Sequence, residues 1–223
     1  MGCRLSGATR TTALDGPPLR PLGRCGRYAG SRPQLNGSIV RRTKPMKSLQ
    51  DLLSDDPAWP LVREWIAAAS NRVEVLPARE PDRSRALEES QVTTRSPMGA
   101  LVYETGGLLI DGGWIRVLGS GHPRVPRTLP GWNKGRTWIE EQSAPPLLVV
   151  ADDVVGGSFA INGGALDGPP GQVHYFAPDR LAWVSLDKGY SEFLAVGAAG
   201  RSGKILRGAA LAGLARGRRE VGR

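Results

Sequence analysis

Residues 147–186 read as four strands separated by three turns, and this pattern limits the fold more than any other feature of the chain. "LLVVA" (147–151), "SFAIN" (158–162), "QVHYFA" (172–177) and "LAWVSL" (181–186) have strand length and apolar or β-branched content. Between them lie "DDVVGG", "GGALDGPPG" and "PDR", rich in the Asp, Gly and Pro that turns require. Runs this close in sequence leave no room for crossover helices, so they predict an antiparallel meander.

Helices are expected upstream. Ser48 is placed to cap a short helix over Leu49–Leu53, and Asp56-Pro57 offers an N-cap followed by a first-turn proline. Trp59, Val62, Ile66 and Ala69 then recur at helical spacing, with Asn71 placed to stop the helix. "RVEVLPA" (72–78) alternates like a strand, and Asp82 is expected to cap a helix over 83–91. "GALVYETGGLLIDGGWIRVLGSGHP" (99–123) reads as successive strands, with Asp111-Gly112 as a hairpin turn. A long connection follows, holding five prolines between Pro123 and Pro146 together with Trp132 and Trp138. Ser191 in "GYSEFL" is positioned to begin a terminal helix. Helices first and a sheet afterwards, with few βαβ alternations, give an α+β fold.

Charge divides the 223 residues into three segments. Residues 1–45 carry nine Lys/Arg against one Asp, and residues 195–223 carry seven Lys/Arg against one Glu. The middle, 46–194, holds 14 basic and 19 acidic residues and every aromatic residue except Tyr28. The overall charge of +9 therefore belongs to the ends, and no nucleic-acid affinity is expected of the acidic core. Residues 1–45 have no periodic apolar face and read as disordered. Order begins abruptly after Met46, which we expect to be the native start. "MGCRLS" matches a myristoylation pattern with Cys3 adjacent, but nothing else is membrane-directed and a cytoplasmic location is expected. No run of about 18 apolar residues predicts a membrane span. The tail sequence "KILRGAALAGLARGRR" (204–219) has a weak apolar face among basic residues, interrupted by three glycines.

Chemical candidates are few. Adjacent Asp152 and Asp153 would point to opposite faces of a strand, so they could share a cation only if the turn bent them together, with Asn162 as the nearest further oxygen ligand. The plainer reading makes them the start of a turn, with Gly156 and Gly157 supplying positive φ and Gly163 and Gly164 punctuating the next one. No lysine accompanies these glycines, so a P-loop is not indicated. His122 stands two residues from Ser120, and His174 lies in a predicted strand beside Tyr175. With Asp152 or Asp153, the two histidines could form a two-His, one-carboxylate metal site or serve a small hydrolase. Arg124, Arg127, Trp132, Trp138 and Tyr175 are the candidate contacts for a protein partner, since Trp, Tyr and Arg anchor interfaces. The opposing reading packs both tryptophans onto the sheet.

The segments "DPAWPLVREWI", "VEVLP", "QVTTRSPMGALVYETGGLLIDGGWIRVLGSGHPR", "ADDVVGGSFAINGG" and "VHYFAPD", in this order over residues 46–194, resemble the bacterial domain of unknown function family 2625. The resemblance implies no activity, because no biochemical role is attached to the family, but it supports Met46 as the start. Relatives continue past the segment matching "GYSEFL" with a polar and aromatic helical end. Here Ala, Gly and Arg follow, as a reading-frame shift near residue 195 would produce. Residues 147–194 are also similar to the SUKH superfamily, whose members include immunity proteins that neutralise bacterial toxins. That resemblance implies a SUKH-like sheet in which the acid–glycine turn is structural.

Together these readings predict a non-enzymatic protein-binding domain needing no cofactor, with an immunity-type toxin binder as the finer expectation. The alternative is a small metal-dependent or Ser/His hydrolase using His122, His174 and Asp152/Asp153.

Overall fold

The computed structural model describes residues 45–139 and 144–198. Expectations for residues 1–44 and 199–223, including the segment before Met46 and the basic tail, lie outside the described residues.

Helix α1 (Leu49–Leu52) starts where its cap predicts: Ser48 Oγ accepts from Asp51 N, and Ser48 N donates to the Asp51 carboxylate in return. Helix α2 (Trp59–Ala67) starts later than Asp56-Pro57 suggested. Ser54 Oγ takes the Asp56 N–H at 3.2 Å, and Ala58 becomes the cap residue with Pro60 in the first turn. Strand β1 (Val73–Pro77) is as expected. In α3 (Asp82–Ser90), Asp82 lies inside the first turn, where its charge suits the helix dipole, and Pro81 precedes it.

The largest departure is α4 (Pro97–Glu104), a helix where the sequence reads as strand. Ser96 Oγ accepts from Gly99 N at 3.0 Å and Pro97 occupies the first helical position, a complete start signal. The chain becomes extended only at Thr105, opening β2 (Thr105–Ile110). A short 3₁₀ turn over Asp111–Gly113 joins it to β3 (Ile115–Leu118). Asp111 and Gly112 both adopt positive φ there (51° and 71°), which bears out the hairpin signal. The long connection contains α5 (Leu129–Asn133), capped by Thr128. Strands β4 (Leu147–Asp153), β5 (Ser158–Asn162), β6 (Gln172–Ala177) and β7 (Ala182–Gly189) follow, and α6 (Tyr190–Ala198) closes the described chain.

All seven strands form one sheet in chain order, and every neighbouring pair is antiparallel. The fold is α+β. Cross-strand register sorts the side chains by face. Val73, Leu108, Ile110, Ile115, Val117, Ala151, Phe159, Tyr175 and Val184 align on one side. There they meet Val62 and Ile66 of α2 and Leu194 of α6, and Phe159 stacks against Phe193 with ring centres 5.1 Å apart. Glu74, Leu109, Arg116, Asp152, Ala160, His174 and Phe176 align on the other side. Helix α5 packs against β4 and α3.

Candidate functional site

Asp153 lies on the helix-covered face and holds the β4–β5 turn. Its Oδ1 accepts from Gly157 N at 2.7 Å and from Val155 N at 3.0 Å, and its Oδ2 accepts from the Tyr175 hydroxyl at 2.7 Å. Burial, and then the facing carboxylate, push the Tyr175 phenol above its ordinary range, so it stays a donor. Tyr175 is thus a buried brace between β6 and the turn. The two glycines serve different needs. Gly156 has the positive φ (94°), whereas a side chain at Gly157 would place its Cβ 2.3 Å from Tyr175 Oη. Gly157 is required by close approach and not, as the sequence reading had it, by φ.

Asp152 points to the opposite face, as strand alternation requires. Arg116 Nε donates to its Oδ1 at 2.6 Å while Arg116 Nη2 donates to the Asp153 carbonyl at 2.9 Å. Arg127, from the long connection, meets Oδ2 as an ion pair that is not aligned as a hydrogen bond. The Arg127 guanidinium also lies over the Trp132 ring at 4.7 Å, and Arg136 lies over the same ring at 4.3 Å. Asn133 completes the attachment: its amide nitrogen donates to Val149 O and its amide oxygen accepts from Val149 N. Arg127 and Trp132 therefore fasten the connection to the sheet. Trp138 is buried, and Arg124 reaches across to pair with Glu74.

The histidines are held apart. His122 follows the extension of β3 and takes the Arg124 N–H on Nδ1 at 3.3 Å, whereas His174 lies on β6. Strands β4 and β5 lie between β3 and β6 in the sheet. Both His174 ring nitrogens face backbone carbonyls, Asp167 O at 3.0 Å and Gln172 O at 3.4 Å, and the ring is buried. Ser120 Oγ donates to Thr105 O at 2.8 Å. Asn162 organises the β5–β6 turn: it accepts from Gly164 N and Leu166 N and donates to Leu166 O. Gly163 passes so near Pro145 that a Cβ would lie 2.1 Å from its carbonyl, and Gly164 has a φ of 119°. Among the described residues, no three His, Cys, Asp or Glu side chains come together as a metal group.

The sequence reading missed a different cluster. In a meander the β2–β3, β4–β5 and β6–β7 turns share one end of the sheet, two strand spacings or about 10 Å apart. Each carries exposed apolar side chains: Trp114 (44 % exposed), Val154 and Val155 (51 % and 56 %), and Leu181 (77 %). Val154 N donates to Trp114 O at 3.1 Å, which ties the first two turns together. The signal was available, because β-branched and aliphatic residues are poor turn formers.

Comparison with known proteins places this geometry in a family. The family model "Protein of unknown function DUF2625" matches residues 49–208. The chain belongs to that family. It is 49 % identical over 150 residues to the putative uncharacterized protein YbfG of Escherichia coli (strain K12), covering 67 % of this chain and 68 % of that protein. An uncharacterized protein of Haemophilus influenzae is 44 % identical over 151 residues, covering 67 % and 66 % of the two chains. The DUF2625 chain thus spans about two thirds of each relative's length. Among the described residues no helix is long and apolar enough to cross a membrane.

Proposed function

We propose that this DUF2625 chain is a non-enzymatic, cytoplasmic protein-binding domain, with residues 46–194 as its working unit. The observation that carries the reading is the concentration of exposed apolar side chains on three neighbouring hairpin turns. Surfaces of this kind mark association sites. The groups that could have done chemistry support the same reading through their internal engagements. Asp153 serves its turn and Tyr175, Asp152 serves two arginines, and His174 faces carbonyls. A protein toxin is the partner class that the SUKH resemblance of residues 147–194 implies.

The test is copurification of the chain from its native cells with and without EDTA, together with metal analysis of the eluted protein. A partner in constant ratio to the chain in both preparations is the expected result. An eluate with no partner and one equivalent of a metal that EDTA removes would replace this reading with a metal-dependent enzyme.

A further inference from the structure

The hairpin end has a feature that turn stability does not explain. Among the described residues four non-glycine positions have positive φ, namely Gln91, Asp111, Leu181 and Asp187. Three are polar: Asp111 and Asp187 are short side chains that tolerate this conformation, and Gln91 donates from its amide to the Glu88 carbonyl. Leu181 (φ 51°) is apolar, and 77 % of it is exposed, so neither its backbone nor its packing calls for leucine. Val154 and Val155 repeat the conflict between Asp153 and Gly156. The turn at the other end of the sheet, between β5 and β6, follows ordinary turn chemistry in "GGALDGPPG". Ile139 (83 % exposed) is a single apolar side chain on the β3–β4 connection at the other end, whereas among the described residues three neighbouring turns share the conflict at this end, and a demand from outside the fold is the physical explanation.

Resting on the protein-binding reading above, we propose that the Trp114, Val154–Val155 and Leu181 turns insert side by side into an apolar groove of a different protein. That groove would be about 20 Å long, the span of three tips at two-strand intervals. Charge selects the class of occupant. The rim of this end carries Arg72 and Arg180 against Asp111 and Asp179, a balanced set that offers no net attraction to nucleic acid or to an anionic lipid surface. Area and shape argue against a second copy. Four partly exposed side chains at three turn tips make a small patch beside the ~800 Å² each partner contributes to a standard interface. Two such ends would touch only at their tips. A concave partner reaches the flanks of the turns and gains the missing area.

The test places a photo-crosslinking residue in the full chain, in native cells, at position 155, 181 or, as a control, at the exposed Ala165 of the β5–β6 turn. One protein crosslinked from 155 and 181 but not from 165 is the expected result. Leu181→Asn should then weaken binding of that purified protein at least tenfold while leaving the melting temperature unchanged or higher, because asparagine tolerates the left-handed conformation. Crosslinks between two copies of the chain would overturn the inference, as would retention on phosphatidylglycerol vesicles that Leu181→Asn abolishes. A protein crosslinked equally from 165 would overturn the docking end and leave the binding-domain reading standing. Absence of any crosslinked or copurifying protein would overturn both.

Discussion

Replacing Asp153 with alanine should cost more stability than any substitution on the exposed turns. The carboxylate is 1 % exposed and accepts three hydrogen bonds, from Gly157 N, Val155 N and the Tyr175 hydroxyl. Hydrogen bonds to a charged group contribute about 1.5–3 kcal/mol each, and donors left buried without a partner add their desolvation cost. Val155 is exposed, so water can satisfy its N–H, and the loss concentrates on Gly157 N and Tyr175 Oη. The expected loss is about 3–5 kcal/mol, a large share of the ~5–15 kcal/mol that holds a domain of this size. Tyr175→Phe alone should cost about 1.5–2 kcal/mol, since it strands only Oδ2. The double variant should cost less than the sum by about 1 kcal/mol or more, because both substitutions remove the same bond. Urea denaturation of the four proteins, followed by tryptophan fluorescence, measures the cycle. A loss below about 1 kcal/mol for Asp153→Ala, or strict additivity, would refute the turn's role as a buried brace.

The glycine pair should separate two physical causes. Gly157→Ala forces a Cβ against Tyr175 Oη and Asp153 Oδ2 and should cost about 3 kcal/mol or more, whereas Gly156→Ala meets no atom and should cost only its φ penalty of about 1 kcal/mol. Equal losses in thermal denaturation would show that contact does not distinguish them. Alkaline pH should destabilise the fold. Folding raises the Tyr175 pKa, so the stability it contributes is fully present below the unfolded value of about 10 and falls as pH rises above it. Tyr175→Phe should flatten that fall in a pH series of urea melts, and an unchanged slope would contradict the assignment. Arg127→Met should release the long connection from Asp152, costing about 1–3 kcal/mol and exposing residues 119–139 to subtilisin, while Arg116 still holds the carboxylate. Resistance to cleavage equal to the wild type would mean that Asn133 alone fastens the connection.

The strands after residue 147 were legible because each apolar run is bounded by turn residues, and their order followed from the shortness of the connections. The Asp111-Gly112 hairpin was legible for the same reason. Helix α4 was not, although Ser96-Pro97 announces it. The apolar run through Leu101, Val102, Leu108 and Leu109 carries no break in period, and periodicity cannot separate a buried helix from a buried strand in such a run. The Asp152 pairing was hidden by distance, since Arg116 and Arg127 lie in segments that only the β3–β4 contact and the returning connection bring to it. The hairpin cluster was missed because each member was absorbed into a neighbour's pattern. Trp114 read as part of the successive strands over 99–123, Leu181 as the first residue of a strand, and the two valines as the middle of a turn. Their common exposure follows from strand order, which places three turns at one end.

A function in binding another protein through that end is tested most directly by quantitative affinity purification from native cells in EDTA. The wild-type chain is compared with a Trp114→Ser, Val155→Asn, Leu181→Asn variant of equal melting temperature. A binding domain of this design retains one partner near one-to-one with the wild type and loses at least nine tenths of it, by the tenfold affinity loss expected for Leu181→Asn alone, in the variant. The same partner held equally by both chains would contradict the hairpin end as the binding surface, and no partner on either would contradict the binding function itself.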